Sequence, residues 1–269
     1  MLRAFPIGRF FGIRLDVHTS WLPIYVLVTL TIANAGPIGA LGRVQAYAVG
    51  AVAALVLFAS VVIHEFAHAL TARRFGVATR SIALFLFGGV ATLEAEPPTP
   101  LADAAVALAG PVVSAVIAAL AYGALHVVDA VVPARLADAA AEILAYITFA
   151  NAILAGFNLI PAYPMDGGRV LRALLWALRG NRDGATASAA LVGIGFGVCF
   201  AAAGIAAAVL TRTWQFAWYL VVAAFLIRRC VVQYRTLRRA VAPAVSVRPT
   251  RPLSGGVSVG VRTADQLSG

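Results

Sequence analysis

Apolar residues run along this chain in long blocks, separated by short stretches where arginine, proline and glycine gather. Six blocks, at residues 20–38, 46–72, 103–126, 139–160, 186–210 and 214–236, read as helices. A helix rising 1.5 Å per residue needs about 20 apolar residues to cross about 30 Å of hydrocarbon, and each block meets or approaches that length. The expectation is an all-α polytopic membrane protein with about six transmembrane helices. One membrane domain would occupy residues 1–240, and the Pro-, Gly-, Ser- and Thr-rich residues 241–269 would form a disordered tail.

Two stretches break the pattern. From Ser81 to Glu96 the chain reads SIALFLFGGVATLEAE, apolar and strand-like but interrupted by Gly88 and Gly89, which predicts a small re-entrant β-hairpin rather than a crossing. Backbone of that kind is tolerated at membrane depth only when buried in protein or lining a wet cavity. From Asn158 to Arg169 the chain reads NLIPAYPMDGGR; Pro161 and Pro164 end a helix, Gly167 and Gly168 permit a turn, and the result is a broken helix. The residues before the first block, ending in Asp16, His18 and Thr19, read as a polar lead-in to an uncleaved anchor. With Ala33-Asn34-Ala35 they also fit the alternative of a secretory signal peptide.

Composition agrees with the pattern. The chain is 61% hydrophobic and 12% charged, more apolar than a water-soluble domain can hide. Its net charge of +10 comes from arginine alone, clustered beside the apolar blocks. Six crossings place Arg3, Arg9, Arg14, Arg73, Arg74 and Arg80 on one side with most of the later arginines, and leave Arg43, Arg135 and Arg212 on the other. The positive-inside rule then puts both termini in the cytoplasm of a multi-pass protein of the inner (plasma) membrane. The charge is a topology signal, so the lipid bilayer is an expected partner and nucleic acid is not. Cys199 and Cys230 lie inside apolar blocks, where a thiol behaves as a small hydrophobe.

The candidate chemistry lies in the second block, which contains HEFAH at residues 64–68. Histidines at i and i+4 share a helix face, so His64 and His68 can reach one zinc ion, and Glu65 is placed to take a proton from water. A glutamate flanked by histidines in an apolar helix is costly unless the groups bind something. Taking Arg73 and Arg74 as the cytoplasmic edge, His64 lies about 14 Å and His68 about 8 Å into the bilayer. A catalytic zinc needs a third protein ligand. His18 and His126 qualify by type but fall toward opposite faces of the bilayer, whereas Asp166 returns on the cytoplasmic side near the depth of His64. From its residues alone, Asp166 is either that ligand or the N-cap of the helix that follows.

HEFAH in a transmembrane helix, followed 90 residues later by Asn158-x-x-Pro161-x-x-x-x-Asp166-Gly167, resembles the site-2 protease family of zinc intramembrane proteases. The likeness covers roughly residues 10–235, including GIRLDVHTSWLP, the FGG element and ALAGPVVS. It implies one Zn2+ per chain held by His64, His68 and Asp166, with Glu65 as general base. It further implies a substrate role for Asn158, whose other reading is an amide satisfying backbone freed by Pro161, and for the strand at Gly88 and Gly89. The implied substrate is a single-span membrane protein, such as a membrane-anchored transcription regulator, cut in regulated intramembrane proteolysis. The alternative is a non-proteolytic metal-binding transporter or scaffold. Some relatives carry CBS domains after the last span or a PDZ domain between spans; a compact member without either is expected here.

Overall fold

The structure is a computed structural model, described for residues 4–34, 42–85, 88–213 and 216–241. The chain begins with two antiparallel strands, β1 (Ala4–Phe10) and β2 (Ile13–His18), and continues through α1 (Trp21–Asn34) and α2 (Arg43–Arg74). A second antiparallel pair follows, β3 (Thr79–Phe85) and β4 (Gly88–Leu93). The remainder is helical: α3 (Pro100–Leu125), α4 (Val128–Val131), α5 (Ala134–Asn158), α6 (Asp166–Arg179), α7 (Arg182–Thr211) and α8 (Ala217–Val241).

The chain is mostly helical, and its sheet is larger than the one hairpin expected. The lead-in supplies two strands, and β2 pairs in parallel with β3 to give one four-stranded sheet in the order β1-β2-β3-β4. Ile13 and Leu15 from β2 and Ile82 and Leu84 from β3 form a buried cluster with Phe66 and Ala69 of α2, so the sheet lies against the helix that carries the histidines. Burying these side chains contributes about 1.5–3 kcal/mol each for the larger ones, which is why short strands persist beside a long helix.

Among the described residues four helices are long and apolar enough to cross a membrane: Arg43–Arg74, Pro100–Leu125, Leu136–Asn158 and Arg182–Thr211. Among the described residues α1 is apolar but shorter, and α8 carries Arg228, Arg229 and Arg235. The expected tail at 241–269 lies outside the described residues beyond Val241. Local chemistry sets the helix ends. Thr99 caps α3 by accepting from the Ala102 amide, with Pro100 in the first turn. Asn181 caps α7 through the Gly184 amide, and α6 stops at Gly180 with φ of 66°. Against α8, α7 presents Gly197, where a Cβ would come 2.6 Å from Ile227. Small residues of this kind let membrane helices approach closely.

Candidate metal centre

The i, i+4 spacing does what the sequence requires of it. His64 and His68 are both buried, and their Nε2 atoms lie 3.1 Å apart. Asp166 Oδ2 lies 3.3 Å from His64 Nε2 and 3.2 Å from His68 Nε2. Asp166 is the first residue of α6, but the N-cap is Met165 and no side chain caps the helix, so its carboxylate is turned to the histidines instead.

A third element orients the rings. His68 Nδ1 lies 2.6 Å from the carbonyl oxygen of Val106, and His64 Nδ1 lies 2.9 Å from Ser114 Oγ, both on α3. A carbonyl only accepts, so His68 carries its proton on Nδ1 and its Nε2 lone pair faces inward. The His68 lone pair and the Asp166 carboxylate converge with His64 Nε2 on one point, an arrangement that a cation can bridge. Tetrahedral bonds of about 2.0–2.1 Å place ligand atoms about 3.3 Å apart, close to all three measured edges. His64, His68 and Asp166 thus form a group that could hold a metal ion.

The approach of α3 is possible because residue 110 is glycine. A Cβ there would collide with His68 Nε2 and come 2.5 Å from His64 Nε2. On the other side, β4 runs against Glu65; a Cβ on Gly89 would overlap its Cγ and come 2.9 Å from its Cδ. Gly167 and Gly168 do the same for α6, whose first turn rests directly on the backbone of Leu159, Ile160 and Tyr163. Histidines, Glu65 and Asp166 open into one cavity of about 560 Å³.

Residues 52–133 and 123–202 match the model of peptidase family M50. The chain belongs to peptidase family M50. Its relatives include the "Putative zinc metalloprotease sll0528" of Synechocystis sp., 39% identical over 192 residues, 71% of this chain and 49% of that protein. The "Putative zinc metalloprotease Rip3" of Mycobacterium tuberculosis is 37% identical over 195 residues, 72% of this chain and 49% of that protein. The chain spans about half the length of these curated relatives. Among solved structures, the site-2 protease from Methanocaldococcus jannaschii is similar with a TM-score of 0.56 and 26% identity, covering 87% of this chain and 96% of that one.

The other candidate residues of this M50 chain divide between cavity and periphery. Asn158 lines the cavity at the end of α5, and its Nδ2 donates to Leu154 O one turn back, not to the carbonyl left by Pro161. Gly89 lines the cavity, and Gly88 opens β4. His18 lies at the end of β2 beside Ser20, and His126 caps α3 against the ring of Tyr122. Glu94 and Glu96 follow β4 as the chain leaves the sheet; both are exposed and paired with arginines.

Sequence reasoning assigned no role to Gly110 and Ser114, although both stand in the ALAGPVVS run, nor to the pair Asp103 and Arg172. Asp103 is fully buried and receives Arg172 at 2.7 and 2.8 Å through two nitrogens, tying α3 to α6 a turn and a half beyond Asp166. An acid inside an apolar block is a signal in itself. Its partner, 69 residues away, is not.

Proposed function

We propose that this chain is a zinc-dependent intramembrane endopeptidase that hydrolyses a peptide bond within or beside the transmembrane segment of a membrane-anchored protein. The observation that carries the reading is the triangle of His64, His68 and Asp166 opening into one cavity with Glu65, the histidines and Glu65 lying on a helix long and apolar enough to cross a membrane. Family membership and the zinc metalloprotease names of the relatives support it.

In this reading His64, His68 and Asp166 hold one zinc ion per chain. Bound there, zinc supplies a positive charge that polarises a scissile carbonyl and makes water more acidic. Glu65 accepts the proton of the attacking water and delivers it to the leaving amine, a general base that becomes a general acid. β4 packs directly against its side chain at Gly89. As the last strand of the sheet, β4 offers an edge at Gly88 and Gly89 along which an unwound substrate can lie, and Asn158 faces the same space. The hairpin is re-entrant in this reading. α1 and α8 complete six crossings, and the arginine bias sets both termini in the cytoplasm of the inner membrane. The substrate is a single-span protein such as a membrane-anchored transcription regulator.

The test compares the purified protein with Glu65→Gln for zinc content and for cleavage of membrane-anchored model substrates. One zinc in each, with cleavage by the parent alone, is the expected result. Zinc in both with no cleavage by either favours a transporter or scaffold. Absence of zinc from the parent removes the ligand assignment.

A further inference from the structure

The cavity that holds the metal centre also holds three arginines, Arg169 and Arg172 from α6 and Arg229 from α8. Their charges are not equally spent. Arg172 is consumed by buried Asp103, and Arg169 makes a longer contact of 3.4 Å with the same carboxylate. The two glutamates at the mouth already have cations of their own. Glu94 lies 3.9 Å from Arg80, while Glu96 pairs with Arg182 and lies 3.7 Å from Arg172. Arg229 has no ion-pair partner among the described residues and is exposed to the cavity it lines.

Its placement is built. The next residue, Cys230, is fully buried and sits where a Cβ on Gly193 of α7 would meet its Sγ at 2.6 Å and the Tyr163 carbonyl at 2.9 Å. Close packing of α8 on α7 therefore brings residue 230 against the loop that leads into Asp166, and Arg229 turns into the space beside the metal centre. An arginine that only marked the membrane edge would not have to line the site.

We propose that Arg229, with Arg169 beside it in the cavity wall, is a specificity-determining cation that selects substrates carrying an acidic side chain next to the cleaved segment. This rests on the reading of the cavity as a peptide-cleaving site. A guanidinium presents a planar fork that a carboxylate can meet through two hydrogen bonds. A substrate with a basic residue at the same position meets an uncompensated like charge.

The experiment uses the full chain in lipid nanodiscs and single-span peptides with one Asp, Asn or Lys stepped through the juxtamembrane positions. Binding is measured by fluorescence anisotropy to the Glu65→Gln protein, and cleavage is measured with active Glu65, each with Arg229 intact, Arg229→Gln or Arg229→Glu. At one or two positions Asp is expected to bind about five-fold tighter than Asn, a preference lost with Arg229→Gln and turned toward Lys with Arg229→Glu. In cleavage the same order should appear in KM. Equal affinity for Asp, Asn and Lys in all three backgrounds overturns the proposal. A charge preference in binding without cleavage by any form sinks the protease reading and leaves the recognition standing; cleavage without the preference does the opposite. Failure of every peptide to bind overturns both. The switch toward Lys is itself evidence that the Arg229→Glu protein is folded.

Discussion

Val106 O and Ser114 Oγ, two turns apart on α3, each meet the Nδ1 of one histidine of HEFAH, at 2.6 and 2.9 Å. One helix thereby sets the ring orientation of both histidines on another. The first of these contacts uses backbone and is insensitive to substitution, while the second is a side chain. Ser114→Ala is therefore expected to weaken zinc binding by about ten-fold or more while leaving the protein folded, as loss of a ligand's outer partner does elsewhere. Competition with a graded series of chelators reads this directly; unchanged affinity would mean that Ser114 does not orient His64.

Gly110→Ala acts on the same helix by volume. The added methyl meets both Nε2 atoms, so either the rings or α3 must shift. Overpacking of this kind costs about 1–3 kcal/mol, and here it falls on the metal-facing atoms. Zinc content should drop below that of the parent while Gly123→Ala on the same helix, with open space around it, leaves it unchanged.

At Gly89 the consequence separates from the metal. An alanine there would press on Glu65 and not on the histidines, so zinc should remain at one per chain while cleavage falls to near the level of Glu65→Gln. Metal analysis and a cleavage assay on the same preparation distinguish this from general unfolding, which would lose both.

Asp103 and Arg172 form a buried ion pair through two nitrogens that ties α6 to α3. Removing one partner strands the other, at about 3–5 kcal/mol. Asp103→Asn and Arg172→Met should each lower the thermal midpoint in detergent and loosen zinc, and the double substitution Asp103→Leu with Arg172→Met should recover much of the midpoint. An additive double variant would show that the two side chains do not act as a pair.

Much of this was legible before any fold was known, because the informative spacings are local. HEFAH needs only the helical period to place two histidines together, and Pro161 and Pro164 end a helix wherever they stand. No strand was assigned in the lead-in although its signal was present: Ile13, Leu15 and Val17 alternate with Arg14, Asp16 and His18, the period of a strand with one buried face. Gly110, Ser114 and the Asp103–Arg172 pair were not legible as roles, since each acts across 42 to 69 residues of chain through contacts no local period encodes. Asp166 lay between, open from its own surroundings, and the start of α6 brings its carboxylate within 3.3 Å of both histidines.

The parallel pairing of β2 with β3 has a bearing on the order in which the protein is made. Arg14 is opposite Ser81 and Val17 opposite Leu84, with α1 and α2 synthesised between them. The first hairpin therefore leaves the ribosome without its sheet partner and waits until two helices have been laid down. Only then can β3 dock and bring β4 to the side of Glu65, so the wall of the cavity closes after the helix bearing the histidines is in place. An N-terminal segment thus finds its neighbours only after the helix bearing the histidines, yet before α3 and α6 arrive to complete the site.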